Sequence, residues 1–290
     1  MDGQGGSLEE LRVAAELRRR LAAAAPGRLG DAVRLITQHA FDVLATLRPT
    51  PEELEALVQF LTDVGYATDT RRQEWVLLAD VFGISDGVIS AACPDRPGIT
   101  PSTLPGPFYR ADAPLLALGA DLCRDGQGHR LTVSGTVRGP DGEVLPGAML
   151  DVWHANGEGR YENQDPDNQP EFNLRGRFLT DEAGGFHFWT VRPAGYALPD
   201  DGPVGALARR LGLALDRPAH IHFAVTAPGY RRLVTAVFDG TDPAIGRDAL
   251  FAARPGMISD FTPKGSGFAL EVALVLDREG PFAQASTKEG

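Results

Sequence analysis

The spacing of apolar residues changes once along the chain, near residue 100. Before that point, apolar residues recur every three or four positions, as in amphipathic helices. After it, apolar and polar residues alternate in short runs that are separated by turns rich in glycine and proline, as in antiparallel strands. The sequence therefore predicts a mainly β protein with an added α region: a helical N-terminal domain with its linker in residues 1–100, then an antiparallel β-sandwich domain in residues 101–290.

Helix-start signals divide the N-terminal region. Ser7–Glu10 has the form of a capping box and precedes apolar residues at helical spacing, which end at Pro26. A second helix is predicted from about residue 29 to residue 47, and a third from Thr50 and Pro51, where proline is favourable at the first helical position. A fourth is predicted over residues 71–81, followed by a linker over residues 94–107.

The strand pattern begins after this linker, and seven segments carry it. Their turn signals include residues 139–142, residues 181–185, which predict a hairpin, and Pro228–Gly229. The predicted strands are residues 131–137, 149–153, 178–180, 186–190, 220–225, 233–238 and 270–276.

Composition limits the classes of partner. With 28 Lys and Arg against 39 Asp and Glu, the net charge of −11 argues against nucleic acid or an anionic membrane as a partner. No apolar run approaches the roughly 18 residues of a membrane span, and the acidic N-terminus is unlike a secretory signal, so we expect a cytoplasmic protein. Cys93 and Cys123 are too few for a disulfide framework.

A histidine pair is the first candidate site. His220 and His222 lie two apart in a predicted strand, so their imidazoles leave the same face and can converge on one ion. Such a pair is by itself equally compatible with a structural role. No acidic residue follows until Asp239, which argues against a site of two histidines and one carboxylate for Fe(II). Anionic ligands must therefore come from elsewhere, and Tyr161 and Tyr196 lie on glycine-rich loops upstream.

Several motifs together resemble the intradiol ring-cleavage dioxygenases, and the resemblance covers most of the chain. The motifs are Leu150–Asn156, Gly159–Tyr161, Phe172–Arg177, Thr180–Asp181, Pro193–Tyr196 and Arg217–Phe223, together with Gly106–Tyr109. The resemblance implies one Fe(III) per chain, bound by Tyr161, Tyr196, His220 and His222. Phenolate oxygen suits this hard cation, and the metal lowers the pKa of tyrosine from its usual value near ~10.

The resemblance also implies the reaction. The enzyme would insert both atoms of O₂ between two hydroxyl-bearing carbons of a catecholic substrate. Tyr196 would be the ligand that leaves when the substrate binds, and its phenolate can accept a substrate proton. Arg217 would stabilise negative charge on the bound ring. As in relatives of this family, we expect a homodimer formed through the first helices, whose apolar faces exceed what one small sandwich can cover.

The resemblance places a substrate pocket at ten positions. These are Leu77, Asp80, Pro105, Gly106, Pro107, Phe108, Ala197, Leu198, Pro199 and Arg217. Asp80 can accept a hydrogen bond from a third ring hydroxyl, and residues 199–204 resemble hydroxyquinol dioxygenases. Hydroxyquinol (benzene-1,2,4-triol) is therefore the first predicted substrate, with a muconate- or maleylacetate-type product, and catechol the second. A solvated helix residue is the competing interpretation of Asp80.

One position, Ala236, departs from the family pattern. Ala236 stands where family members commonly have Gln or His near the metal ligands, so support of the metal there would be weaker or come from water.

Two other classes of protein are compatible with the same features. A metal-free sandwich that binds sugar or protein would share the strand pattern. A Zn or Fe(II) hydrolase or oxygenase could use the histidine pair alone.

Overall fold

The computed structural model describes residues 12–23, 27–69 and 72–279, and these divide into two compact units at the junction of Tyr66 and Ala67. The first unit contains α1 (Arg12–Ala22), α2 (Arg28–Leu47) and all but the last residue of α3 (Pro51–Ala67). This division falls before residue 100, where the sequence analysis placed the end of the N-terminal domain. The capping box predicted at residues 7–10 lies outside the described residues.

The start of α3 follows from its sequence. The Thr50 hydroxyl accepts a hydrogen bond from the backbone N–H of Glu53 (3.3 Å), and the Glu53 carboxylate accepts one from the N–H of Thr50 (2.8 Å). This reciprocal pair satisfies two donors that the helix itself leaves free. The helix start predicted at Thr50 and Pro51 is therefore confirmed.

The second unit begins with two helices, α4 (Glu74–Val81) and α5 (Ile84–Ala92), and contains α6 (Pro203–Leu211) among its strands. The structure places α4 within the segment predicted as a fourth helix, but α5 and α6 were not predicted. Gly83, with φ 71°, breaks α4 from α5, and the serine and glycine of α5 are weak helix formers. By contrast, α6 has Pro203 at its start and Gly212 just past its end, a signature that the sequence could have yielded.

Two sheets form the rest of the second unit. The strands are β1 (Arg130–Arg138), β2 (Met149–His154), β3 (Arg175–Leu179), β4 (Gly185–Val191), β5 (Tyr196–Ala197), β6 (Asp216–Arg217), β7 (His220–Thr226), β8 (Leu233–Asp239), β9 (Ile258–Ser259), β10 (Thr262–Lys264) and β11 (Gly267–Val275). The four-stranded sheet has the order β10-β11-β1-β4, and the five-stranded sheet has the order β3-β2-β7-β8-β9. A short two-stranded ladder pairs β5 with β6.

One apolar core lies between the two sheets. Phe178 of β3 stacks on Phe188 of β4 with ring centroids 5.2 Å apart, and Phe186 of β4 contacts Phe223 of β7. The alternation of apolar residues in these strands places one face of each sheet in this core. The β-sandwich predicted from the sequence is confirmed.

Two details of the predicted topology are wrong. The strands that flank residues 181–185 do not form a hairpin, because β3 pairs with β2 whereas β4 pairs with β1 in the other sheet. The Asp181 carboxylate does cap the turn by accepting the N–H of Gly185 (2.7 Å). The sheets are also mixed, since β1 pairs with β11 in parallel and β8 with β9 in parallel. Turn chemistry and alternation fix neither the sheet that a strand joins nor its direction.

Among the described residues, no single helix is both long and apolar enough to cross a bilayer. The helices α4 and α5 reach the necessary length and apolar composition only when taken together, and they are bent by 71° relative to each other.

Candidate active site

The two histidines of β7 converge at one point. Their Nε2 atoms are 3.2 Å apart, and both side chains are buried. The Nδ1 of His220 lies 2.7 Å from the carbonyl oxygen of Pro218. Because a carbonyl only accepts, this Nδ1 carries the proton and Nε2 keeps its lone pair. Two nitrogens bound at about 2.1 Å to one metal ion, at a right angle, would be about 3.0 Å apart, so this spacing fits two neighbouring ligands.

Aromatic rings hold these imidazoles in place. Trp153 stacks on His222 with centroids 4.8 Å apart and an interplanar angle of 3°, and Phe238 packs against His220. Burial lowers the pKa of His220 to about 3 and that of His222 well below its ordinary value. Both rings are therefore neutral at pH 7, the state in which imidazole binds a metal. Trp153 also belongs to a small buried apolar cluster with Ala155, Tyr161 and Ala224.

Tyr161 and Tyr196 complete a chain of neighbouring rings with the histidines. The Tyr161 and Tyr196 rings are 6.1 Å apart between centroids, and Tyr196 lies 5.7 Å from His220. Tyr161 is buried and Tyr196 partly so. The structure thus brings together all four residues that the resemblance assigns to the metal.

Two glycines let the tyrosine-bearing loops approach each other. A Cβ on Gly159, which has φ 81°, would lie 2.7 Å from the carbonyl oxygen of Gly195 and 2.9 Å from the Cβ of Tyr196. A Cβ on Gly195 would lie 2.6 Å from the carbonyl oxygen of Arg217. Distances this short are not tolerated, so the juxtaposition of Tyr161 and Tyr196 depends on glycine at both positions.

A substitution at Gly159 tests this dependence. Gly142 also has positive φ (85°) but has open space around its Cα. Gly142→Ala is expected to lower the free energy of unfolding by about 1–2 kcal/mol through backbone strain alone. Gly159→Ala combines this strain with the steric overlap, so its loss in denaturant unfolding should be clearly larger. Equal losses would mean that the two loops are not packed as tightly as described.

The donor set itself indicates what kind of ion fits. Burial, followed by the charge of Tyr196, raises the pKa of Tyr161 well above its ordinary value, so a cation is needed to ionise it at neutral pH. Across the described ranges, no three His, Cys, Asp or Glu side chains come together in a way that could hold a metal. A metal at the His220–His222 pair would therefore need the tyrosine oxygens, and a mixed oxygen and nitrogen set suits a hard ferric ion.

His154 is not available as a metal ligand, because both of its ring nitrogens have hydrogen-bond partners. Its two ring nitrogens lie 2.7 Å from the carbonyl oxygen of Ala155 and 2.7 Å from the hydroxyl of Thr190. Burial lowers its pKa to about 4, so it is a neutral, fully hydrogen-bonded side chain.

Arg217 adjoins Tyr196 through the short ladder of β5 and β6, in which the two residues are register partners. Its guanidinium is buried and donates from Nε to the Asp248 carboxylate (3.0 Å). Burial opposes this charge, but the charges of Tyr196 and Asp248 outweigh it and the pKa of Arg217 is raised. A fixed positive charge therefore lies beside the ring cluster.

Asp80 faces this charge from α4. Its carboxylate accepts a hydrogen bond from the Ser85 hydroxyl and interacts electrostatically with Arg217. Burial raises the pKa of Asp80, while Ser85 and Arg217 lower it. The Asp80 side chain is partly buried, so it is less exposed than a helix residue that faces only solvent.

The other predicted pocket residues differ in how closely they approach the rings. Phe108 stacks on Tyr161 with centroids 4.5 Å apart. Leu77 and Leu198 are partly buried on their segments, and the N–H of Leu198 donates to Leu215. Of the remaining predicted positions, Pro107, Ala197 and Pro199 are exposed and Pro105 and Gly106 are partly buried; Ala197 ends β5, and the prolines and the glycine lie outside the strands.

The departure at Ala236 lies directly at the histidines. Ala236 is fully buried and is the register partner of His222 across β7 and β8. A methyl group therefore occupies the strand position opposite this histidine, and this residue supplies no polar side chain to it.

A buried ion pair that sequence reasoning missed supports the Tyr161 loop. Arg175 donates from Nε to Glu162, the residue after Tyr161, at 2.6 Å, and it also hydrogen-bonds the carbonyl of Phe108. The pair thus connects the two segments whose aromatic rings stack at the site. Arg175 belongs to the Phe172–Arg177 motif, which was the available signal.

The sandwich and its tyrosine–histidine cluster are those expected of an aromatic ring-cleaving dioxygenase, and comparisons with known proteins identify the class and the family. Residues 104–278 match the dioxygenase family model, and residues 27–98 match the model of the catechol dioxygenase N terminus. The chain belongs to the intradiol ring-cleaving dioxygenases and is an enzyme of that type. This removes the metal-free binding module that the strand pattern had left open.

Individual relatives refine the comparison. The hydroxyquinol 1,2-dioxygenase of Rhizobium sp. is 42% identical over 81% of this chain and 79% of its own. The structure of hydroxyquinol 1,2-dioxygenase from Pseudomonas putida DLL-E4 matches with a TM-score of 0.89, 30% identity and coverage of 93% of this chain and 99% of the other. Catechol 1,2-dioxygenase from Acinetobacter sp. ADP1 matches with a TM-score of 0.78, 30% identity and 94% coverage of each chain.

Proposed function

We propose that this enzyme binds one Fe(III) per chain through Tyr161, Tyr196, His220 and His222 and cleaves hydroxyquinol with O₂ between its two vicinal hydroxyl-bearing carbons. The product would be of the muconate or maleylacetate type. The observation that carries the proposal is the convergence of these four rings beside Arg217, with the two Nε2 atoms 3.2 Å apart.

The bound iron would supply Lewis-acid activation of the diol for reaction with O₂. His220 and His222 contribute neutral donors whose orientation is fixed by the Pro218 carbonyl and the Trp153 ring. Tyr161 is fully enclosed and suits a permanent ligand. Tyr196 is less buried, and its phenolate oxygen would accept the proton of a substrate hydroxyl.

Arg217 and Asp80 would orient the substrate. The Arg217 guanidinium stabilises negative charge on the bound diolate, because it is held in a buried environment where screening is weak. Asp80 would accept a hydrogen bond from the third hydroxyl of hydroxyquinol. At equal sequence identity, the structure matches the hydroxyquinol dioxygenase with a higher TM-score (0.89) than the catechol dioxygenase (0.78). This difference supports hydroxyquinol as the first candidate substrate.

Catechol is the second candidate substrate, and one observation favours it. Asp80 already accepts a hydrogen bond from Ser85, so its carboxylate is not left without a partner when the ring has only two hydroxyls. Catechol 1,2-dioxygenases are also among the relatives of this chain.

Oxygen uptake with a panel of hydroxyquinol, catechol and substituted catechols tests the proposal. We expect the highest kcat/KM for hydroxyquinol, consumption of one O₂ per substrate, and a ring-opened diacid as the product by mass spectrometry. A higher kcat/KM for catechol would replace hydroxyquinol by catechol. Failure to consume O₂ with any vicinal diol would reject the function.

We further propose a homodimer formed through the N-terminal helices. Within the described chain, no residue of α2 is buried, and Leu29, Ile36 and Leu47 are each more than two-thirds exposed. Apolar side chains exposed to this extent along one helix are typical of an interface.

Sedimentation of the full-length protein checks this proposal. A dimer is expected at micromolar concentration, and removal of residues 1–28 should give a monomer or an aggregate because it deletes α1, which contacts α2. A full-length chain that sediments as a monomer would reject the dimer.

A further inference from the structure

We propose that Asp248 is a positioning residue that holds the Arg217 guanidinium in place for the bound substrate; this inference rests on the function proposed above. The side chains of Arg217 and Asp248 are 5% and 2% exposed, and Nε of Arg217 donates to Oδ1 of Asp248 at 3.0 Å. Among the described residues this is the single hydrogen bond of the guanidinium, so its two NH₂ groups remain available to a ligand.

The Asp248 carboxylate is itself rigidly held. Its Oδ2 accepts the backbone N–H groups of Ala252 (2.9 Å) and Ala253 (3.1 Å), and its Oδ1 also lies 3.4 Å from the N–H of Leu250. These bonds close a loop in which Phe251 adopts φ 59°, a left-handed conformation that is uncommon for a bulky residue. The carboxylate is therefore fixed by its own backbone, independently of Arg217, and can serve as an anchor for it.

A second carboxylate, that of Asp80, could compete with Asp248 for the Arg217 guanidinium. Asp80 of α4 lies within electrostatic range of Arg217. Without Asp248, the buried guanidinium would be left with Asp80 and the tyrosines of the ring cluster as partners, because a buried charge requires one. Pairing with Asp80 would withdraw Arg217 from the diol and would occupy the carboxylate that we assign to the third hydroxyl.

Kinetics of Asp248→Asn test the role. The variant should bind iron as the wild type does, because the hydrogen bonds of Asp248 within the described chain go to Arg217 and to its own loop and not to the four ring residues. Its kcat should fall about 10- to 100-fold, the effect of a catalytic group displaced by about 1 Å, and diol binding measured under anaerobic conditions should weaken less. The matched control is Asp216→Asn. Asp216 directly precedes Arg217 and forms an exposed ion pair with Arg247, so removing its charge should leave kcat within about twofold.

A double-mutant cycle separates positioning from general destabilisation. If Asp248 acts through Arg217, Asp248→Asn should cause little further loss of kcat in an Arg217→Met background. Losses that multiply, or an Asp248→Asn variant with wild-type kcat, would overturn the proposal. If Asp248→Asn does not fold, Asp248→Glu, which keeps the charge but shifts it, replaces it in the same cycle. A wild-type enzyme without ring-cleaving activity would instead refute the proposed function.

Discussion

Replacing Tyr161 by phenylalanine is expected to strip the enzyme of iron and of ring-cleaving activity. The substitution removes one anionic oxygen from the buried cluster and leaves a ring of the same shape stacked on Phe108. Loss of residues that only support a metal ligand costs about 10- to 100-fold in affinity, so loss of the ligand itself should cost more. Metal analysis of the purified variant should show well under one iron per chain, and O₂ uptake should fall in proportion.

Tyr230→Phe is the matched control for this loss. It removes a hydroxyl that donates to Glu143 (2.6 Å), outside the ring cluster. Its iron content and activity should equal those of the wild type. An iron-loaded, active Tyr161→Phe enzyme would show that Tyr161 is not a ligand.

Replacing Asp80 by alanine is expected to change the choice of substrate. Only hydroxyquinol has the third hydroxyl that could donate to this carboxylate. A hydrogen bond to a charged group contributes about 1.5–3 kcal/mol. The kcat/KM for hydroxyquinol should therefore fall roughly ten- to over a hundredfold, and that for catechol much less. Steady-state kinetics on both substrates measure the difference.

The control for Asp80→Ala is Glu271→Ala, which removes an exposed carboxylate on β11 and should change neither value. The colour of the iron-loaded protein and its iron content should stay unchanged in both variants, since neither carboxylate is a proposed ligand. Equal losses on hydroxyquinol and catechol in Asp80→Ala would assign Asp80 a general structural role.

Much of the strand layout follows from the sequence, because alternation directly reports which face of a strand is buried. The β7–β8 hairpin and its Pro228–Gly229 turn are confirmed for this reason. Strand direction and sheet membership depend on contacts between distant segments, so the parallel pairing of β11 and the separation of β3 from β4 were not foreseen.

The sequence predicts some residues of the site from strand periodicity and others only through the family resemblance. Period two alone places His220 and His222 on one face of β7, as found. The approach of Tyr161 and Tyr196 was implied only by the family resemblance, because it depends on two loops that meet at Gly159 and Gly195. Asp248 could not be found from the sequence, since it lies 31 residues from Arg217 and a lone aspartate carries no pattern.

Visible absorption of the purified wild-type protein, combined with metal analysis, tests the central assignment most directly. Donation of charge from two tyrosinates to Fe(III) should give a red to brown protein with a broad visible band. With about one iron per chain, this band should change when hydroxyquinol is added without oxygen. A protein that holds one iron per chain and yet has no such band would contradict the two-tyrosinate site.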